Sequence, residues 1–240
     1  MAALAVTQAR QTVHNNLAPT GAVLHRQYRF AKVNGVLLLS FTILTVLLRT
    51  PGMQRIDRFI TRRLQRMTRG PVVGILWLLS EPGERPAPVL LTAGVSIAFL
   101  LVDLPVEACC TAFTISGGLL NAALKRLVRR QRPAAPIARL LFPRVLGSSF
   151  PSGHVMHYTI FYGFLTSVAF SLMHPSRART ATVASLGGLV AAVGPARIML
   201  GAHWASDVTG AYLAGGVWLA CINEFYRRWK RLRAERMFSQ

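Results

Sequence analysis

Apolar residues gather in six windows along the chain: Val33 to Leu48, Ala87 to Val102, Val106 to Leu124, Val155 to Met173, Thr180 to Ala196 and Val208 to Ile222. Each approaches the roughly 20 residues that cross a bilayer as a helix, and the shorter ones draw on flanking residues. The pattern therefore predicts six transmembrane helices. The apolar stretch Pro71 to Ser80 is too brief to span and reads as an interfacial or re-entrant piece. After the first window, Met53, Ile56, Phe59, Ile60, Leu64 and Met67 recur at helical spacing, with Arg55, Arg58, Arg62, Arg63 and Arg66 between them. That is the pattern of a basic amphipathic helix lying at the interface, either a plain connector or a lid or substrate guide. The expected fold is all-α: a polytopic membrane protein with six transmembrane helices plus this amphipathic helix. Residues 33–223 form its core, between a basic polar N-terminal tail (1–32) and a basic C-terminal tail (224–240). Gly187, Gly188, Gly210, Ala211, Ala214, Gly215 and Gly216 in the last two spans permit close helix contact.

Composition supports a membrane protein, since 52% of the 240 residues are hydrophobic, only 15% are charged, and mean hydropathy is +0.39. Net charge is +20, from 28 Lys and Arg against 8 Asp and Glu, and the basic residues fall almost entirely between apolar windows. Such a distribution points to anionic headgroups or a phosphorylated substrate, not to nucleic acid. Cys109 and Cys110 lie side by side inside a predicted span and fit buried packing rather than a disulfide or metal site. The first 32 residues lack the apolar core of a secretory signal and carry no acidic residue, as either an organelle transit peptide or a basic cytoplasmic tail would. The positive-inside count does not fix orientation: 12 basic residues lie on the side of the termini and 16 opposite, several of them candidates for chemistry.

Polar residues with chemical potential stand at the mouths of these helices. In "LKRLVRRQRP", Lys125 and Arg132 are two helical turns apart and share a face, while Arg126, Arg129 and Arg130 lie off that line and read as headgroup contacts. "SSFPSGH" sets Ser152, Gly153 and His154 where an apolar helix begins. In "PARIMLGAHWASD", Arg197 precedes His203 by six residues and His203 precedes Asp207 by four, so imidazole and carboxylate share a face. The acid can then hold one ring nitrogen and leave the other free for attack. With six spans, all these helix ends face one side of the membrane. His157 is either a competing acid or a packing residue, and His14, His25 and His174 lie outside the pattern. No carboxylate cluster of the kind magnesium needs accompanies them, so metal-independent, cofactor-free chemistry is expected.

These motifs resemble those of the phosphatidic acid phosphatase type 2 superfamily, the lipid phosphatases related to vanadium haloperoxidases: Lys-x6-Arg-Pro at Lys125 to Pro133, Pro-Ser-Gly-His at Pro151 to His154, and Arg-x5-His-x3-Asp at Arg197, His203 and Asp207. The resemblance implies a membrane phosphatase for a lipid phosphate or diphosphate, acting through a phosphohistidine. His203 would be the nucleophile, Asp207 its partner and His154 the general acid. Lys125, Arg132, Ser152, Gly153 and Arg197 would bind the phosphoryl oxygens, as forked guanidiniums and open backbone amides do well. It also implies an extracytoplasmic site in the plasma membrane, with cytoplasmic termini. The family's serine before the third-motif arginine is Ala196 here, which removes a hydrogen bond worth about 1–3 kcal/mol if it served a charged group. A lipid phosphotransferase, or a non-catalytic anion- or lipid-binding membrane protein, would use the same basic ring. The histidines and their paired carboxylate favour the enzyme.

Overall fold

A computed structural model describes the backbone of residues 2–68, 70–141 and 147–238 and the side chains of residues 25–68, 70–141 and 147–233. The described residues form helices and no strand. In order these are α1 (Ala2–Leu47), α2 (Pro51–Gln65), α3 (Pro71–Ser80), a 3-10 turn (Glu81–Gly83), α4 (Ala87–Leu101), α5 (Pro105–Phe113), α6 (Ser116–Val128), α7 (Gly153–Leu172), α8 (Arg177–Met199) and α9 (Ala205–Phe238). Arg10 and Arg236, of the two basic tails, lie outside the described side chains.

Four helical segments are long and apolar enough to cross a membrane: His25–Leu47, Gly153–Leu172, Arg177–Met199 and Ala205–Arg233. The second and third apolar windows do not form single long helices. The second joins a helix pair, Pro71–Gly83 with Ala87–Leu101, bent by 61°, which makes a fifth crossing if the pair is one broken span. The third divides into α5 and α6. There the Thr114 and Ser116 hydroxyls donate to the carbonyls of Thr111 and Phe113, and such local bonds compete with helix continuation. Apolar side chains on α1 and α4, including Val36, Leu39, Val46, Leu90 and Leu101, are more than half exposed, as side chains facing lipid would be.

The core centres on α7, which packs against α8 and α9, while α1 covers α9. Of the small residues expected to allow close contact, Gly215 does so, since a β-carbon there would lie 3.0 Å from Thr159, but one at Gly187 or Gly188 would meet nothing within 4 Å. Gly194 gives a further close approach, a β-carbon there lying 2.6 Å from the Tyr212 hydroxyl. Pro195, inside α8, brings no N–H to the Ala191 carbonyl, and the Tyr212 hydroxyl donates to that carbonyl (3.3 Å) and to Val190's (2.7 Å). At the far end of the bundle from the polar cluster described below, the buried Glu107 accepts from Tyr226 and Lys230, each at 2.8 Å, stapling α5 to α9.

Helix α2 covers most of the stretch read as a basic amphipathic helix, and its faces are used in a particular way. Ile56, Phe59 and Met67 are exposed, while the polar stripe Asp57, Thr61, Gln65, spaced four residues apart, is buried against the protein. Gln65 exchanges bonds with Arg139, its amide donating to the Arg139 carbonyl (2.7 Å) and its oxygen accepting from the Arg139 N–H (2.9 Å). The helix therefore fastens the long loop after α6. That loop returns to the core through Phe150, which is fully buried, stacks on Phe41 (centroids 5.6 Å apart) and covers Gly210. Because Phe150 lies between Ser149 and Pro151, its anchoring fixes the backbone that starts α7. Phe150→Ala is expected to destabilise by about 3–5 kcal/mol, the usual loss for a buried aromatic. Gly210→Leu, which drives a side chain into the ring, should unseat the same loop; thermal unfolding of both variants checks this.

Candidate active site

His203 sits in the short turn between α8 and α9. Gly201 turns the chain there with φ +77°, and a β-carbon would run into the Arg139 carbonyl, so glycine is required. The N–H groups of Ala202 and His203 both donate to the Arg197 carbonyl, at 3.1 and 3.3 Å, tying the turn to the end of α8. Burial of the ring, 2% exposed, pushes the His203 imidazole down to about 3 against the opposing pull of Asp207, so the ring is neutral at neutral pH. Its Nε2 lies 3.3 Å from Arg132 Nη1, which can only donate; Nε2 therefore accepts and Nδ1 carries the proton. That proton faces the Ser149 hydroxyl (3.4 Å) and Asp207 Oδ2 (3.6 Å).

Asp207, fully buried, is saturated by donors. Ser149 Oγ donates to Oδ2 (2.5 Å), the Trp204 N–H also donates to Oδ2 (2.8 Å), and Arg130 Nη1 donates to Oδ1 (2.7 Å). Arg130 reaches further, to Asp57 Oδ2 (2.6 Å) and Ser206 Oγ (2.6 Å), while Asp57 Oδ1 accepts the Ser206 N–H (2.9 Å). The arginine expected to contact headgroups is thus turned inward, between two buried carboxylates. A lone buried carboxylate is far costlier than a solvated arginine, and this overrides the helical-face argument.

Around His203 the other expected residues converge. Arg132 also donates to the Ala202 carbonyl (2.9 Å), and the Ser152 N–H donates to the Asp207 carbonyl (3.2 Å), joining the start of α7 to α9. The Ser152 hydroxyl is fully buried and has no hydrogen-bond partner among the described residues. Beside it, Gly153 opens α7; a β-carbon there would lie 3.3 Å from Asn121 Oδ1 and 3.9 Å from Lys125 Nζ, which brings Lys125 against the amides of this helix mouth. Asn121 donates to the Pro151 carbonyl (3.2 Å) and holds the turn. His154 Nε2 and the buried Arg197 Nη1 both face one oxygen, Glu84 Oε1, at 3.0 and 3.5 Å. His157 instead stacks on Phe161 (5.3 Å) within an aromatic cluster, the packing alternative. Ala196 is fully buried with Leu76 and Leu200 in an apolar cluster, so its missing hydroxyl faces packing instead of the basic ring.

The six-residue and four-residue spacings of the third motif, the helix mouth at Ser152 to His154 and the cations of the first motif thus form one constellation. The sequence pattern of the PAP2 superfamily matches residues 107–231, more than half of the chain. The chain belongs to the PAP2 superfamily. Solved structures of similar fold include the PAP2-type phosphatidylglycerolphosphate phosphatase of Bacillus subtilis, with a TM-score of 0.71, 22% identity, and coverage of 81% of this chain and 96% of that one. LpxE of Aquifex aeolicus has a TM-score of 0.52 at 20% identity, covering 70% of this chain and 93% of its own. Among curated proteins none matches in sequence. With four helical segments long and apolar enough to cross a membrane, exposed apolar side chains on α1 and α4, and a structural neighbour that is transmembrane by title, this PAP2 protein is an integral membrane protein.

Ser149, Arg130, Asp57, Asn121 and Glu84 are the site residues that motif reading passed over. The acids carried a signal: only eight occur in the chain, and Asp57 and Glu84 lie among basic or apolar neighbours where an unpaired carboxylate is unfavourable. A cavity of about 570 Å³ opens beside Arg132, with Arg49, Arg58 and Arg129 on its walls. Arg130→Met, which leaves Asp57 and Asp207 buried without their shared cation, should lower stability by about 3–5 kcal/mol. It should also lower turnover, which a comparison of denaturation midpoint with kcat will show.

Proposed function

We propose that this PAP2 protein is a membrane phosphatase that removes phosphate from a lipid phosphate or diphosphate through a phosphohistidine at His203. The observation that carries the reading is a neutral, buried histidine whose Nε2 faces Arg132, next to an unpartnered buried serine hydroxyl and a helix mouth ringed by Lys125 and Arg197. Nε2 attacks phosphorus while the bond to the lipid oxygen breaks. His154 transfers its proton to that oxygen, and Asp207 stabilises the charge that grows on His203. Lys125, Arg132, Arg197, Ser152 and the Gly153 amide hold the phosphoryl oxygens. Water then attacks the phosphohistidine, gives a proton back to His154 and releases inorganic phosphate.

In this reading α3 with α4, and α5 with α6, each cross the bilayer as a broken span, giving six crossings within 33–223, and α2 lies at the interface with its exposed apolar side chains in lipid. A headgroup reaches the ring from the cavity beside Arg132, whose arginines would attract it, while its acyl chains remain in the bilayer. The termini are cytoplasmic and the site extracytoplasmic, in the plasma membrane. One structural neighbour is a phosphatidylglycerolphosphate phosphatase by title, and that substrate belongs in the first panel.

Purified protein in detergent with EDTA should release phosphate from phosphatidate, phosphatidylglycerophosphate or undecaprenyl diphosphate without any added alcohol acceptor. His203→Ala should abolish release, and His154→Ala should slow it by about 10²–10⁴-fold, the usual contribution of a positioned acid. Release that survives His203→Ala would rule the scheme out. Phosphate appearing only when an alcohol is supplied would make the protein a phosphotransferase.

A further inference from the structure

The scheme above gives Glu84 nothing to do, yet its carboxylate lies inside a ring otherwise built of cations. Glu84 stands at the bend between the 3-10 turn and α4, in the sequence "EPGERP", where Pro82 and Pro86 stiffen the backbone on either side. Its side chain is 35% exposed, but Oε1 is buried, 3.0 Å from His154 Nε2 and 3.5 Å from Arg197 Nη1. The preceding residue, Gly83, passes so close to the His154 ring that a β-carbon would run into it. The bend is therefore pressed against this imidazole.

The charges facing His154 come from four elements. Arg197 approaches from α8, Lys125 from α6, and His157 lies one turn along α7 itself; Glu84, from the bend, is the carboxylate among them. The N-terminus of α7 adds the positive end of a helix dipole. Without Glu84, a proton on His154 would sit in a wholly positive surround. Glu84 thus offsets the positive charge around the ring at short range.

Resting on the phosphatase reading, we infer that Glu84 is a positioning residue for the general acid, bracing the His154 ring and offsetting the positive charges around it so that it delivers a proton to the departing lipid oxygen. When the phosphorus–oxygen bond breaks, its electron pair stays on the lipid oxygen and the His154 proton joins it. His154 is left neutral beside Glu84. The water that cleaves the phosphohistidine returns the proton. Asp207 serves the imidazolium of His203 in the same way, so each histidine has its own carboxylate.

The test uses the full-length protein in detergent and two phosphate monoesters: a short-chain phosphatidate, whose alkoxide leaves poorly, and p-nitrophenyl phosphate, whose phenolate needs no acid. Glu84→Gln should lower kcat for phosphatidate by about 10-fold or more at pH 7.5, yet change the p-nitrophenyl phosphate rate by about 2-fold at most. The alkaline limb of its phosphatidate pH profile should move down by about one pH unit, the effect of losing an opposite charge within 4 Å or so. Glu84→Asp should restore part of both, and carries the test if Glu84→Gln fails to fold. Equal losses on the two substrates with an unmoved limb would overturn the inference. So would a lower KM with an unmoved limb, which would make Glu84 an occupant of the phosphate seat. His203→Ala is run alongside: if it keeps its activity the phosphatase scheme itself fails, whereas its inactivity together with an indifferent Glu84→Gln removes Glu84 alone.

Discussion

The interaction on which the rest of the site depends is the bridge that Arg130 makes between Asp57 and Asp207. Two carboxylates buried to 2% exposure or less need a shared cation, and Arg130 supplies both contacts through its two terminal nitrogens, at 2.6 and 2.7 Å. The three residues come from α2, from the segment after α6 and from α9, elements far apart in sequence. Satisfying this one electrostatic demand therefore draws together the pieces that surround His203. Ser149 and Ser206 complete it, one on each carboxylate. A planar guanidinium fits the task in a way that a lysine ammonium, with a single nitrogen, does not.

From this bridge the chemistry of the neighbouring groups follows. Asp207 is held rigidly enough to keep His203 in one tautomer, and Arg132 meets the other nitrogen. On the side where the proposed scheme seats phosphate, the Ser152 hydroxyl has no hydrogen-bond partner among the described residues, and the first amides of α7 have no side-chain cap. Burial of such groups is unfavourable unless a ligand meets them, so the arrangement stores a preference for an anion. Exposed apolar side chains on α1, α2 and α4 accompany a polar cluster rich in arginine, and the proposed substrate combines an anionic head with a hydrocarbon tail.

Much of this was legible in the sequence. Lys125 with Arg132 and His203 with Asp207 follow from i, i+7 and i, i+4 spacing, which survives any global arrangement, whereas the parts given to His154, Ser152, Gly153 and Arg197 come from the family resemblance. Helices α1, α7, α8 and α9 lie over the first, fourth, fifth and sixth apolar windows, with flanking residues lengthening α1 and α9. What hydropathy could not register was the break at Thr114 to Ser116, which alters mean hydropathy little but divides the third window into two helices, whereas the break at Glu81 to Pro86 shows as a gap between two apolar stretches. Arg130 was unreadable for a different reason. Its direction is set by Asp57, 73 residues earlier, through a contact with no sequence periodicity. Glu84 was hidden in the same way, although the scarcity of acids in so basic a chain pointed towards such residues.

The most direct test of the central claim, that these groups surround a phosphate bonded to His203, is an experimental structure of the protein with orthovanadate. Vanadium bonded to His203 Nε2, with its oxygens contacting Arg132, Arg197, Lys125 and Ser152, is the result the account predicts. Vanadate held by arginines away from His203, or bound equally well by His203→Ala, would contradict it.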